Sequence, residues 1–419
     1  MRLNKYTLKI ENGQKTILYN VITKTLIELA CSVEDAEKML IYSSDDEMID
    51  FYLDRLIISE DNNDDVEEMK AIKEEYNHQK DIGRYMIHLG YACNLKCAYC
   101  YQSSIHNTSK ATAIDVDGIC TYIYHTSQMQ NFETYDICFI GGEPALYWRE
   151  IIEISSRLNK MLGKDRIVYS MVTNGTLLDQ EHHIEEIIAN GVNDFQITVD
   201  GTKKTHDKYR NNGKNGSFER IMSNIKKLVE NYSDIYLLIN YNLTKENSNE
   251  VGNFLDLLND EQIKIPVQFS MVFDNGINIS LECHEHNSIW KQAHIEAIKH
   301  GQKYEPFYRE VYLGCAMTQE NYFIIGADGK LYKCINAVDN PNYCVSDMKD
   351  YGTKAYYETL QKYLSYEPDN KNCINCELYP VCYGGCEYRN RIHGFRCEKE
   401  IFYDNEIEII KEIVNARSM

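Results

Sequence analysis

Short apolar runs alternate with amphipathic stretches through the middle of the chain, from Gly83 onward. Apolar runs of this length, bounded by turn residues, are typical of strands buried on both faces of a parallel sheet. Six runs qualify: Tyr85–Leu89, Ile137–Ile140, Ile167–Val172, Phe195–Val199, Ile235–Ile239 and Val267–Val272. Helical periodicity separates them, for example over Glu150–Leu162 and Phe218–Val229. The pattern therefore predicts six β/α units.

Strands that alternate with crossover helices form a parallel sheet with right-handed connections. Six units are too few to close an eight-stranded barrel, so we expect an α/β fold, a partial (β/α)6 TIM-like barrel over residues 83–285. In such folds the ligands lie at the carboxyl ends of the strands. Reactive residues are expected in the loops that follow the strands.

The first 80 residues have a different pattern and predict a small N-terminal α+β module. Two alternating runs, Tyr6–Ile10 and Thr16–Val21, flank a turn with Gly13, which is the signature of a β-hairpin. Helical periodicity follows over Val33–Tyr42 and Met48–Leu56. Residues 44–76 contain thirteen Asp and Glu against three Lys and Arg, a net charge of −10.

The composition of the chain argues against several classes of protein. The 419-residue chain has a formal net charge of −20, which opposes nucleic-acid binding because that requires a basic surface. No apolar stretch approaches the roughly 18 residues needed to cross a bilayer, so we expect no membrane contact. Fifteen cysteines, an odd number, without a secretory signal argue against a disulfide framework. A reducing, cytoplasmic setting with little oxygen is expected.

Ten of the cysteines have metal-ligand spacing. Cys93, Cys97 and Cys100 form a C-x3-C-x2-C triplet just after the first predicted strand. Such a triplet supplies three thiolates to a cluster that usually takes four, so one iron is left open to a ligand that is not protein. The other seven cysteines lie in the last quarter of the chain: Cys315, Cys334, Cys373, Cys376, Cys382, Cys386 and Cys397.

The triplet resembles the signature of the radical S-adenosylmethionine (radical SAM) superfamily, including the aromatic Tyr99 before its last cysteine. The later seven resemble the SPASM extension of that superfamily: Cys315 is followed by Gly329 and Cys334, then by the run Cys373–Cys386 with C-x2-C-x5-C-x3-C spacing, and a closing cysteine at 397. Taken alone, that run could also close a structural zinc site. The resemblance covers residues 83–400 and implies a SPASM domain over 311–400, followed by a C-terminal helix over 401–419.

The resemblance also implies the residues that bind SAM. Gly141, Gly142 and Glu143 resemble the GGEP motif, in which a carboxylate and backbone groups hold the methionyl amine. Thr198 and Arg210 match the hydroxyl and arginine positions that contact SAM in SPASM enzymes, and the arginine can pair with the SAM carboxylate. Asn174, at the end of the third strand, is included with them, and Tyr99 is expected near the adenine or as a buried structural tyrosine.

Three [4Fe–4S] clusters are implied, one that binds SAM and two auxiliary ones. By analogy, Cys373, Cys376, Cys382 and Cys397 complete one auxiliary cluster, while Cys315, Cys334 and Cys386 serve the other. That second set is one thiolate short. Cys344 could complete it, or the iron could be open to a substrate thiol.

The expected function is that of a maturase that uses a 5′-deoxyadenosyl radical to install a thioether or carbon–carbon cross-link in a ribosomally made precursor peptide. The N-terminal module would dock the peptide's leader, or would simply be a solvated acidic face. A flavodoxin or ferredoxin would supply electrons. An anaerobic sulfatase maturase is the alternative, although Ile335 and Asn336 follow Cys334 where those enzymes have an Asp. A non-catalytic iron–sulfur or zinc protein is the third possibility.

Overall fold

The computed structural model describes residues 1–78, 81–102, 114–272, 283–304, 315–366, 372–395, 397 and 399–417. Its strands are Arg2–Leu3 (β1), Thr7–Asn12 (β2), Lys15–Asn20 (β3), Leu26–Leu29 (β4), Ile58–Ser59 (β5), Ile82–His88 (β6), Thr134–Ile140 (β7), Ile167–Thr173 (β8), Val192–Thr198 (β9), Tyr236–Leu243 (β10), Val267–Met271 (β11), Tyr322–Ile325 (β12), Lys330–Tyr332 (β13) and Cys344–Asp347 (β14). Its α-helices are Val33–Ile41 (α1), Asp46–Asp54 (α2), Asp65–Asn77 (α3), Val116–Gln130 (α4), Trp148–Leu158 (α5), Glu181–Ala189 (α6), Lys203–Tyr209 (α7), Phe218–Asn231 (α8), Val251–Asp260 (α9), Cys283–Lys299 (α10), Lys354–Leu364 (α11), Tyr379–Cys382 (α12), Glu387–His393 (α13) and Lys399–Arg417 (α14).

The chain divides into two compact units. The first unit combines Met1–His78, Lys303–Thr318 and Tyr366–Met419, and the second combines Gln79–Gln302 and Gln319–Ser365. Two of the boundaries expected from the sequence, at residues 80 and 311, lie outside the described residues. None of the helices in the described parts of the chain has both the length and the apolar character needed to span a membrane.

The second unit is built on one sheet with the strand order β11-β10-β9-β8-β7-β6-β12-β13-β14. Strands β6 to β11 are parallel and neighbour one another in chain order. Every second side chain along them is deeply buried, as Ile137 and Phe139 on β7 show. This confirms the predicted α/β fold with six parallel strands, and it places the loops after β6 to β10 at one edge of the sheet.

Three further strands, which the apolar pattern did not reveal, extend this sheet. Strand β12 pairs in parallel with β6, and β13 and β14 follow it as antiparallel neighbours. They are three or four residues long, too short for a periodic signal. Their pairing depends on a partner strand far away in sequence, so local pattern cannot predict it.

The first unit contains an antiparallel sheet with the order β2-β3-β4. The predicted hairpin is confirmed, with Thr7 opposite Asn20 and a turn at Gly13, where φ is +66°. Successive residues of β3 serve opposite faces: Ile17 and Tyr19 belong to one hydrophobic cluster, and Leu18 belongs to another with α1 and α2. The sheet therefore separates two cores.

Many acidic residues of this unit have a structural role at helix starts. Ser32, Asp45 and Asp64 cap α1, α2 and α3, because their side chains accept hydrogen bonds from backbone N–H groups of the first turn. Further Asp and Glu side chains occupy the first turn of each helix, where the helix dipole favours negative charge. Part of the negative charge therefore stabilises helix ends.

Candidate functional site

The loop that follows β6 carries the cysteine triplet and is fixed to the neighbouring strand. The Gly142 N–H donates to the Gly90 carbonyl at 2.8 Å, and the Glu143 N–H donates to the Ala92 carbonyl at 2.9 Å. A Cβ on Gly142 would lie 2.4 Å from the Ala92 carbonyl oxygen, and one on Gly141 would lie 2.7 Å from that of Gly90. These glycines are therefore required for backbone-to-backbone contact. The close approach that these glycines permit is to the cysteine loop.

The other side of the loop is held by the end of α7 and the residues that follow it. The backbone N–H groups of Lys96 and Ala98 donate to the carbonyls of Asn211 and Tyr209 at 2.7 and 2.9 Å. Both bonds flank Cys97, so two backbone contacts fix the main chain on either side of the middle cysteine of the triplet.

Cys93 lies against the end of β8. The Asn174 amide is 3.8 Å from the Cys93 sulfur, and the Leu95 N–H is 3.4 Å from it. Asn174 also donates to the side chain of Asn94 at 2.9 Å, which ties it to the loop. N–H groups directed at a cysteine sulfur are a means by which proteins tune iron–sulfur clusters. The structure therefore places Asn174 at a cysteine of the triplet.

The three thiols are half-buried and close enough to influence one another. Burial raises the pKa of Cys93 to about 11, with smaller contributions from Glu143, Cys97 and Cys100. Burial also raises the pKa of Cys97, and the nearby Arg210 charge opposes that shift. A thiol must lose its proton to bind metal, so metal binding here would release protons.

No three Cys, His, Asp or Glu side chains of the described residues converge on one point as a single metal ion requires. Three half-buried thiols on one loop match the donor chemistry of an iron–sulfur cluster, whose irons are held by cysteine thiolates. The donor set of the loop therefore suits a cluster.

Glu143 is fully buried beside this loop. Its carboxylate accepts hydrogen bonds from Thr173 Oγ1 at 2.5 Å, from the Asn174 N–H at 2.7 Å and from the Ala145 N–H at 3.0 Å. Burial raises the pKa of this carboxyl group, and the three donors oppose the shift. A carboxylate has about four acceptor positions, so one remains for a further donor.

Arg210 lies in a buried polar cluster with Tyr99, Asp200 and Asn242. The Arg210 guanidinium donates to the Tyr99 hydroxyl at 2.9 Å, and that hydroxyl donates to Asp200. The other Asp200 oxygen accepts from the Asn242 N–H at 2.8 Å. Burial holds the pKa of Tyr99 well above its usual range, so the phenol stays protonated as a donor. Among the described residues, the buried Arg210 Nε has no hydrogen-bond partner.

A chain of hydrogen bonds through His206 connects Asp200 to Arg210. The Asp200 N–H donates to His206 Nδ1 at 3.1 Å, His206 Nε2 lies 2.9 Å from Ser217 Oγ, and Ser217 donates to the Arg210 carbonyl at 2.7 Å. Burial, together with the Arg210 charge, lowers the pKa of His206 to about 3. The ring is therefore neutral, with its proton on Nε2. This chain links the backbone N–H of Asp200 to the carbonyl of Arg210.

Thr198 ends β9 and is almost fully buried, opposite Asn240 on β10. Asn240 is itself linked to Asn242 at 3.1 Å and to Ser270 at 2.6 Å. The ends of β9, β10 and β11 thus form a polar patch. Sequence reasoning missed Asp200 and Asn242 as members of the Arg210 cluster, because only strand register reveals that they meet Tyr99.

The later cysteines belong to different units. In the first unit, Cys373–Asn375 form a 3-10 turn, Cys382 ends α12, and Cys386 is the N-cap of α13. The pKa of Cys373 is raised by burial and also by Cys397 and Cys376, so these three thiols are neighbours. Cys315 also belongs to the first unit, where its carbonyl accepts from Thr318.

Two cysteines lie on the strand extension of the second unit. Cys334 follows β13, and Cys344 begins β14 opposite Tyr332. The Cys344 thiol donates to the Ser346 carbonyl at 3.4 Å. The suggestion that Cys344 is a fourth cluster ligand stays a prediction.

Comparison with known proteins identifies the central segment. A family model described as Radical SAM superfamily matches residues 87–258. The cysteine-type anaerobic sulfatase-maturating enzyme of Clostridium novyi is 25% identical over 338 residues, which cover 72% of this chain and 87% of that protein. The sporulation killing factor maturation protein SkfB of Bacillus subtilis is 27% identical over 167 residues, 39% of this chain and 37% of that protein.

Solved structures show the same fold. The enzyme anSMEcpe with bound AdoMet superposes with a TM-score of 0.63 at 19% identity, over 80% of this chain and 99% of that one. Streptococcus suis SuiB bound to its precursor peptide SuiA superposes with a TM-score of 0.55 at 16% identity, over 92% and 95% of the two chains.

Proposed function

We propose that this chain, a radical SAM enzyme with its domain at residues 87–258, modifies a ribosomally made peptide by installing a thioether or carbon–carbon cross-link. The observation that carries the proposal is the position of the cysteine loop between the GGEP residues and the Arg210 segment. On one side the Glu143 carboxylate has an acceptor position left, and on the other the Arg210 Nε has no hydrogen-bond partner. Similarity to a killing-factor maturation protein and to SuiB, solved with its precursor peptide, supports a peptide substrate.

Cys93, Cys97 and Cys100 are the residues proposed to hold the SAM-binding [4Fe–4S] cluster. When bound, this cluster supplies the electron that cleaves SAM to a 5′-deoxyadenosyl radical. The Asn174 amide at the Cys93 sulfur would stabilise the thiolate, and the two backbone bonds beside Cys97 would keep the loop from shifting. The protein's part is to hold the thiols in a fixed, half-buried loop.

Two charged groups are proposed to hold the amino-acid end of SAM. Glu143 has one acceptor position left for the ammonium group, and the unpaired Nε of Arg210 can donate to the carboxylate. The remaining SAM contacts are assigned to Tyr99, Gly141, Gly142, Asn174 and Thr198. Since the Tyr99 hydroxyl is already bonded to Asp200, its ring rather than its hydroxyl would meet the adenine.

Two auxiliary clusters are part of the proposal. Cys373, Cys376, Cys382 and Cys397 would bind one of them, which is supported by the proximity of Cys397 and Cys376 to Cys373, whose pKa they raise. Cys315, Cys334 and Cys386 are assigned to the other. A flavodoxin or ferredoxin is the proposed electron donor.

A sulfatase-maturating activity is the second candidate, because a relative of that description covers 72% of the chain. The Asp expected directly after the second SPASM cysteine is absent, but Asp339 lies five residues after Cys334. Its carboxylate accepts a hydrogen bond from Tyr91, and burial raises its pKa. Asp339 is therefore the carboxylate that this candidate would use as a base.

Anoxic reconstitution with SAM and dithionite tests both candidates. Full-length protein is expected to form 5′-deoxyadenosine and, with a cysteine-bearing precursor peptide, a product lighter by two hydrogens. A peptide with a sulfatase-type Cys motif is the comparison substrate. An aldehyde on that peptide alone would favour the second candidate, and absence of 5′-deoxyadenosine despite confirmed cluster content would refute the enzymatic proposal.

We assign leader docking to an exposed surface of α1 and α2. Four large apolar side chains there are at least 37% exposed: Met39, Tyr42, Met48 and Phe51. Exposed acidic residues lie along α2 and at its N-cap: Asp45, Asp46, Glu47, Asp50 and Asp54. Apolar side chains next to acidic ones fit a leader segment that is basic and amphipathic, and the Arg55 guanidinium already lies over the Phe51 ring at 3.8 Å.

Replacing Tyr42 and Met48 together by alanine is expected to weaken leader binding about tenfold or more, since exposed aromatic anchors dominate such interfaces. Fluorescence anisotropy with a labelled basic leader peptide measures the Kd, and added salt should weaken binding further. The matched control is Met161→Ala, a similarly exposed methionine in the second unit. Equal affinity in all three proteins would refute this surface.

A further inference from the structure

The hydrophobic core on one face of the N-terminal sheet is completed by the C-terminal cysteine run, Cys373–Cys386. From the sheet and α3 come Tyr6, Leu8, Ile10, Ile17, Tyr19, Val21 and Met69. From the far end of the chain come Leu378, Tyr379, Tyr383, Ile410 and Val414, with Cys373, Cys376 and Cys386 packed at the margin. One core therefore belongs to segments about 300 residues apart in sequence.

Polar contacts join the same two segments. Lys5 Nζ donates to Asn375 Oδ1 at 3.1 Å, and Lys73 Nζ donates to the Tyr379 hydroxyl at 3.3 Å. The Lys73 ammonium also lies 5.3 Å from the centroid of the Tyr383 ring, within range of a cation–π contact. Lys73 is one of the three basic residues of the acidic 44–76 segment, and it is directed at the cysteine run.

The cysteine run has little structure that could support itself. It consists of a three-residue 3-10 turn and the four-residue helix α12, too short to be stable alone. Tyr383, Gly384 and Gly385 follow with φ values of +47°, +82° and +89°. Three consecutive left-handed residues, one with a bulky side chain, persist only where surrounding packing fixes them. The buried rings of Tyr379 and Tyr383 supply that packing.

We propose that the N-terminal sheet with α3 is the structural base on which the cysteine run folds, and that Lys73 eases reduction of the auxiliary cluster bound there. The proposal rests on the proposed function, since it takes this run to bind a cluster. A cluster with four thiolates is anionic, and Lys73, which contacts Tyr379 and Tyr383 within the run, would bring a positive charge that stabilises its reduced form. The N-terminal residues would thus serve the auxiliary cluster as well as a leader peptide.

Neighbouring residues of β3 test the structural part in the full-length chain without metal. Ile17 lies in the shared core, whereas Leu18 lies on the opposite face with α1 and α2, and both are fully buried. Ile17→Ala is expected to speed alkylation of Cys373, Cys376 and Cys386 roughly tenfold or more, because it loosens the base of the run. Leu18→Ala should leave those rates near the wild-type values.

Lys73 variants test the electrostatic part, because a half-exposed lysine can be replaced without unfolding the chain. In anoxic protein, Lys73→Met should make one auxiliary cluster harder to reduce in an EPR-monitored titration, with iron content and the SAM-binding cluster unchanged. Lys73→Arg retains the charge and should restore the wild-type midpoint.

The outcomes separate the two proposals. A wild-type protein without an auxiliary cluster would refute the proposed ligand set. The alkylation rates of the metal-free protein would still decide whether the N-terminal sheet is the structural base of the cysteine run. A wild-type protein that holds the cluster, with equal alkylation in both β3 variants and an unshifted midpoint in Lys73→Met, would refute the present inference.

Discussion

Alanine at Cys93, Cys97 and Cys100 together is expected to abolish 5′-deoxyadenosine formation and to remove about a third of the iron per chain, given three equal four-iron clusters. The three thiols share one loop after β6, and Cys97 and Cys100 raise the pKa of Cys93, as expected for the single ligand set that we propose. Without these thiols, SAM held by Glu143 and Arg210 would have no cluster next to it to supply the electron. Iron analysis and product chromatography under anoxic conditions measure both effects.

Cys31→Ala is the matched control, since Cys31 is a partly exposed cysteine of the N-terminal module outside the ligand sets. It should retain the wild-type iron content and product yield. Complete loss of iron in the triple variant would mean that the chain holds one cluster only. Unchanged iron in that variant would place every cluster elsewhere.

The parallel sheet was predictable because apolar residues recur along each of its strands, where every second side chain is deeply buried. The first and last residues predicted for these strands were less accurate. The predicted Ile137–Ile140 is in fact Thr134–Ile140, because Thr134 and Asp136 lie at exposed positions of the same strand. Polar residues at such positions interrupt an apolar run without ending the strand.

The cysteine loop was predictable for a different reason, since its spacing is local and specific. The residues that hold this loop and the neighbouring polar cluster in place were not predictable. Asn242 is more than 140 residues from Tyr99 in sequence, and the two meet only because β10 lies beside β9. Likewise, the change of composition near residue 80 suggested a separate module, and it gave no sign that Leu378 and Tyr379 complete the core of the N-terminal sheet. Contacts of this kind depend on tertiary packing.

Replacing Asp200 by asparagine is expected to lower the free energy of unfolding by about 3–5 kcal/mol, the range for removing one partner of a buried charge pair. The side chains of Asp200 and Arg210 are 0% and 9% exposed. The two are 3.8 Å apart, and the Tyr99 hydroxyl accepts from Arg210 while it donates to Asp200. An asparagine amide would remove the negative charge and replace one acceptor oxygen by an NH2 group, which would face either the donor from Tyr99 or those from Asn242.

Anoxic urea denaturation of the metal-free chain measures this loss, and Asp179→Asn is the matched control. Asp179 pairs with Arg220 at 2.8 Å on the surface, where such a pair contributes only about 0–1 kcal/mol. Because the Asp200 cluster also fixes Arg210, Asp200→Asn should weaken SAM binding to the reconstituted enzyme, whereas Asp179→Asn should not. If both variants lost equal stability, the buried cluster would not be what holds Arg210 in place. The Tyr99→Phe variant would then separate the hydroxyl bridge from the direct ion pair, since a bridge predicts non-additive losses when it is combined with Asp200→Asn.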